Sequence, residues 1–136
     1  MVSSEEWAYL AGIIDGEGTV QLGHVSNGYA GGNNYKYMVR IYNTDCNLID
    51  WVSQRFGGNT RVHNRGKVGE AFGKKPIYMV DWRNVDDIGG ILLGVMPYLV
   101  VKKKIASILM SFITVPQWEK EMREILANNF KEVRHG

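Results

Sequence analysis

Trp7, Leu10, Ile13 and Ile14 recur at the three- and four-residue spacing of a helix, and Ser3 followed by Glu6 supplies a capping box at its start. The run ends on Asp15-Gly16-Glu17-Gly18, two acids at the pole of a helix where carboxylates oppose the dipole. After the glycines the period changes. "TVQLGHV" and "YKYMVRIY" alternate apolar and polar side chains, and the turn-rich "SNGYAGGNN" between them makes a long-looped hairpin. Asn43 or Thr44 then caps a helix carrying Leu48, Ile49, Val52 and Phe56, which Gly57-Gly58 stops.

A second hairpin is expected from "TRVHNRG" and "PIYMVDWR", joined by the loop Gly66–Lys75. Asn84 caps a helix through Ile88, Leu92 and Val95 that Pro97 ends. Ile105, Ile108, Leu109 and Phe112 mark another helix. Pro116 opens a last one, with Trp118, Met122, Ile125 and Leu126 on its apolar side. The order predicts an α+β fold, a four-stranded antiparallel sheet with helices on one face, as one domain over residues 1–136. No internal repeat is present.

Composition narrows the classes. A chain of 136 residues at 45% hydrophobic content can bury one core. No apolar run is long enough to cross a bilayer, and the start "MVSSEEW" is unlike a secretory signal. The single cysteine, Cys46, leaves no internal disulfide, and no Cys/His set has zinc-ligand spacing, so an intracellular protein is expected. Net charge is only +2, but it is unevenly spread. Residues 18–76 carry eight bases against three acids, and the remainder eight against eleven. That asymmetry points to a polyanion-binding face.

Phasing the strands sharpens this. With Val20, Leu22, Val39, Ile41 and Val62 turned to the core, Thr19, Gln21, Lys36, Arg40, Tyr42, Arg61, His63, Arg65 and Lys67 share the open face. These side chains donate to phosphates and to base edges, and no carboxylate is among them. Gly12 and Gly16, four apart on one helix face, would let another backbone approach closely.

"LAGIIDGEG", with a helix before it and a strand after it, resembles the LAGLIDADG motif of a homing endonuclease family, Ile13 and Glu17 being common substitutions. The resemblance extends to the hairpin–helix–hairpin order, to "FGG" closing the middle helix and to "MPYLVVKKKIASIL". It implies an αββαββα fold whose sheet saddles the DNA major groove. With a single motif, it implies a homodimer whose motif helices pack at the two-fold axis, cutting both strands of a long pseudo-palindromic site. Genes of this kind are commonly intron-encoded. Each motif would supply one acid beside a scissile phosphate with Mg²⁺ between them, Mn²⁺ substituting and Ca²⁺ supporting binding without cleavage.

Residue by residue, the resemblance makes Glu17 the metal-binding acid and the Gly16 carbonyl a backbone ligand. Lys102, beside Lys103, becomes the basic residue near the site, and Asn43 the strand-end residue that holds a catalytic water. It places Leu10, Ala11, Gly12, Ile14, Asp15 and Gly16 at the dimer seam, Asp15 bonding backbone there. The loops Ser26–Asn34 and Gly66–Lys75 would order on DNA. Neither a membrane nor a small-molecule substrate is expected. A binding protein of the same fold that has lost cleavage, acting on DNA or as an intron-splicing maturase on RNA, is the alternative. A structural protein without metal is a remoter one.

Overall fold

The computed structural model describes residues 1–25, 35–63 and 75–135. Arg65, Lys67 and the loops expected to order on DNA lie outside them, Lys75 excepted. Helix α1 (Ser4–Glu17) leads into β1 (Gly18–His24) and β2 (Tyr35–Asn43), then α2 (Cys46–Phe56), β3 (Asn59–His63) and β4 (Ile77–Trp82). Helices α3 (Val85–Val95), α4 (Lys103–Thr114) and α5 (Lys120–His135) follow. The sheet is antiparallel in the order β1-β2-β4-β3, so the two hairpins meet along β2 and β4.

Local signals set most boundaries. The Ser3 hydroxyl accepts from the Glu6 amide at 3.1 Å and the Glu6 carboxylate from the Ser3 amide at 2.9 Å, closing the capping box. Glu6 also grips Arg55 of α2, at 2.5 and 2.6 Å, and this pairing lowers its carboxyl pKa to about 2. Asn84 caps α3 through the Asp87 amide at 2.8 Å. The α2 cap is Asp45, whose carboxylate accepts from Asn47, rather than Asn43 or Thr44. Asn43 instead accepts from the Asp45 amide at 2.7 Å, which stations it at the end of β2.

The core lies between one sheet face and the helices, with Leu10, Ile14, Val39, Ile41, Ile49, Val80, Trp82, Ile88, Leu92, Leu109 and Phe112 all buried. Two apolar expectations fail. Val62 is on the helix side of the sheet but 57% exposed, because β3 is an edge strand that overhangs its helices. Trp118, Met122 and Ile125 face solvent, since α5 starts only at Lys120 and docks through Arg123, Ala127 and Phe130. The Arg123 guanidinium stacks on Phe112 and Tyr35, 4.5 and 5.1 Å from the ring centroids, so its charge is buried on aromatic faces.

Gly94 carries a prediction whose sign the structure decides. Alanine in a helix interior ordinarily gains about 1 kcal/mol over glycine. A Cβ at Gly94, however, would sit 2.3 Å from the Trp7 ring. Overpacking of that kind costs about 1–3 kcal/mol. Gly94→Ala should therefore lower the urea midpoint of unfolding, and an unchanged or raised midpoint would show that the Trp7–α3 packing is wrong.

Candidate active site and nucleic-acid interface

The end of α1 is held by the segment between α3 and α4. Asp15 accepts from the backbone amides of Val100 at 2.8 Å and Lys102 at 2.9 Å, and the Lys102 ammonium returns to the carbonyls of Ile14 at 2.9 Å and Asp15 at 2.8 Å. A cation on the last-turn carbonyls satisfies acceptors that the helix leaves open and offsets its dipole. The Gly18 amide also bonds to Ile14 O, and the chain turns from helix to strand within that one residue. A Cβ on Gly18 would lie 2.7 Å from Ile14 Cα, so only glycine fits the junction.

This clamp presents Glu17 at the rim. Its exposed carboxylate accepts from Asn43 Nδ2 at 2.7 Å, so the helix end and the end of β2 are tied at this point. Lys102 comes to the same helix end, with its ammonium on the carbonyls that precede Gly16. Glu17, Asn43 and Lys102 are thus gathered from positions far apart in the chain. One carboxylate, one amide and the adjacent Gly16 carbonyl form only part of a metal site. Among the described residues no group of three or more His, Cys, Asp or Glu is placed to hold an ion. Mg²⁺ binds through one or two carboxylates and keeps several waters, so the set fits a shared ion and not a closed cage.

Burial pushes the Asp15 carboxyl up, but the amides of Val100, Lys102 and Val101 outweigh it and hold it below the usual range. A depressed carboxyl contributes stability above its unfolded value, near 3.9, that is lost as pH falls through the folded one. Asp15→Asn, which sets an amide NH₂ against one of the two N–H donors, should cost about 1–3 kcal/mol near pH 7. It should also lessen the acid dependence of stability between about pH 5 and 3, read from urea unfolding at several pH values. Asp81 and Glu6, also depressed, will keep part of that slope. A slope identical to wild type would mean that the Asp15 carboxylate is not held as described.

The seam expected on α1 needs correction. Leu10, Ala11 and Ile14 are 0% exposed within the single chain, so their side chains have no surface to give to a second copy. Asp15 does bond backbone, but that of its own chain. The helix is apolar on two sides, and spacing alone does not tell which side the core takes. The outward side carries Tyr9, Gly12, Ile13 and Gly16. It borders a groove of about 480 Å³ lined by Ala8, Tyr9, Gly12, Ile13, Glu17, Asn43 and Leu48. A Cβ at Gly12 or Gly16 would meet nothing within 4 Å.

The register places the face residues. Thr19, Arg40, Asp81 and Asn59 form one row across the four strands, and Tyr42, Met79 and Arg61 part of another. Gln21, Lys36 and His63 lie on the same side. Asp81 was not expected there. Its signal is the alternation in β4, where the core residues Val80 and Trp82 bracket it and so turn it outward. No helix among the described residues is long and apolar enough to cross a membrane.

No protein-family profile and no curated protein sequence matches this chain. Solved structures do match. The homing endonuclease I-CvuI, bound to its target with Ca²⁺, is 17% identical, with a TM-score of 0.78 over 98% of this chain and 84% of that one. I-TnaI, also a homing endonuclease, is 16% identical, with a TM-score of 0.67 over 98% and 86%. The archaeal intron-encoded homing endonuclease I-Vdi141I, complexed with DNA, is 15% identical, with a TM-score of 0.66 over 94% and 83%. The fold of this chain is therefore that of the LAGLIDADG homing endonucleases.

Proposed function

We propose that this chain is a site-specific endonuclease that acts as a homodimer and hydrolyses both strands of double-stranded DNA. The observation that carries the reading is Glu17: an exposed carboxylate, tied to Asn43, at the end of a helix whose outward side is opened by glycines. Two copies meeting through Gly12 and Gly16 would bring two Glu17 carboxylates together, and their mutual repulsion calls for a cation. Each Glu17 with its Gly16 carbonyl would hold Mg²⁺, which supplies charge neutralisation at the phosphate and a more acidic bound water. Asn43 orients Glu17 and can hold a water. Lys102 keeps the helix end in place and sets positive charge near the scissile phosphate.

Thr19, Gln21, Lys36, Arg40, Tyr42, Arg61 and His63 form the described part of the DNA face, Arg65 and Lys67 continuing it in sequence. The basic middle of the chain supports this side as the one that meets the duplex. Intron encoding and an intracellular location accompany the reading.

A pool of duplex sites, incubated with Mg²⁺ or Mn²⁺ and separately with Ca²⁺, tests the proposal. Some sites should be cut on both strands with Mg²⁺ and bound uncut with Ca²⁺. A pool is needed because target choice matters: I-CvuI has been crystallised with the I-CreI target and Mg²⁺ with the DNA not cleaved. Binding without cutting under every metal would overturn the endonuclease and leave a binding protein of the same fold.

A further inference from the structure

Asp81 sits in the middle of the outward sheet face and is nevertheless fully buried, because three arginines close over it. Arg61 Nη2 is 2.7 Å from Oδ2, and Arg40 Nη2 and Arg83 Nη2 are each 3.3 Å from that same oxygen. Arg83 Nε lies 3.2 Å from Oδ1. Arg40 also donates through Nη1 to the Tyr42 hydroxyl at 2.9 Å, which fixes its plane from a second side. Burial pushes the Asp81 carboxyl up, but Arg61 and Arg83 outweigh it and hold it below the usual range, so the folded protein carries it as an anion.

A carboxylate at the centre of a face that meets a polyanion works against affinity. Phosphate attraction alone would be better served by an uncharged residue there, since each guanidinium neutralises phosphate without help. The cluster is also imperfectly satisfied. Among the described residues Asp81 Oδ1 and Arg40 Nε are buried without a hydrogen-bond partner, a costly state for polar atoms at low dielectric. What the carboxylate supplies in return is orientation. It engages Arg83 through Nε and Nη2 and Arg61 through Nη2, leaving their other N–H donors turned from the anion, whereas Arg40, taken up by Asp81 and Tyr42 and 15% exposed, braces the cluster. A fork held in a fixed plane suits the O6 and N7 acceptors of guanine, whereas a phosphate accepts from many directions.

The cluster is compact as well. Arg61 Nη2 and Arg83 Nη2, bonded to one oxygen at 2.7 and 3.3 Å, are no more than about 6.0 Å apart. That is less than two base-pair steps of about 3.4 Å. We propose that Asp81 is a positioning residue that holds Arg61 and Arg83 as one guanine-reading unit, with Arg40 bracing it. Arg83, just beyond β4, is then a specificity-determining residue beside Arg61, already placed on the face. The inference rests on the DNA-binding reading above.

Duplexes selected from a randomised pool by the full chain in Ca²⁺, at one salt concentration, provide the test. Wild type should enrich a motif with guanine at one or two adjacent steps in each half-site. Asp81→Asn should lower discrimination at those steps by about tenfold, as expected for a good bidentate contact. Its affinity for an unrelated duplex should hold or rise, because a negative charge has gone. Arg83→Gln, at a side chain 45% exposed and so undemanding of the fold, should relax the same steps and leave the rest of the motif. An Arg83→Gln motif identical to wild type overturns the proposal, whether or not Asp81→Asn folds. So does a folded Asp81→Asn protein, judged by its melting, that weakens on selected and unrelated duplexes equally. If wild type binds no duplex, the DNA-binding reading fails, and this inference with it; binding that enriches no sequence overturns this inference alone.

Discussion

Glu17→Gln should reduce strand cleavage by ~10³-fold or more while leaving DNA binding intact. The substitution is close to isosteric, and the side-chain oxygen of glutamine can still accept from Asn43 Nδ2, so the helix end keeps its geometry. What is lost is the negative charge that would hold a divalent cation at the phosphate. A single preorganised group at a centre of developing charge is worth about 10²–10³-fold. In the proposed dimer a metal-holding charge would be removed from both subunits at once, so the loss should reach or exceed the upper end. Binding should not weaken, because in the proposed complex the lost carboxylate would face phosphates. Nicking and double-strand cleavage, measured beside a gel shift in Ca²⁺, separate the two effects. Cutting at the wild-type rate would remove Glu17 from the active site.

Gly12→Leu should act in opposite directions on the chain and on the proposed dimer. Within one chain a Cβ at residue 12 meets nothing within 4 Å, and the position opens onto the groove beside α1. It also gains up to about 1 kcal/mol of helix propensity over glycine. The isolated chain should therefore melt no lower than wild type. In a seam built on close helix approach the same side chain would be trapped between backbones. Overpacking costs about 1–3 kcal/mol, and two-fold symmetry imposes it twice. Association should weaken by roughly 30- to 10⁴-fold at 1.4 kcal/mol per decade. Sedimentation across a concentration series reads this directly. Unchanged dimerisation would place the seam elsewhere, and a fall in melting of the monomer would show that the outward side of α1 is not open.

The two predictions differ in how far the sequence alone led to them. Glu17 stood out through the resemblance of "LAGIIDGEG" to the LAGLIDADG motif, since the change from helix period to strand period marks the junction but leaves its two acids readable as a solvated helix end. Gly12 was legible as a glycine four residues from Gly16, but its neighbours Leu10, Ala11 and Ile14 were not separable from it. Both sides of α1 are apolar, and only docking against the sheet and α3 chooses between them.

Sequence by itself determined which helices and strands form and in what order, which residues alternate across the sheet and which motif closes α1. Those features depend on interactions within about four residues, such as the Ser3–Glu6 box or the two-residue period of β1 and β2. The tertiary structure alone decided that Asp15 bonds backbone 85 and 87 residues away. It decided also that Val62 overhangs, that α5 turns Arg123 and not Met122 to the core, and that Asp81 gathers three arginines. Each of these depends on which distant surface arrives, and burial energy acts on whole faces without regard to local spacing.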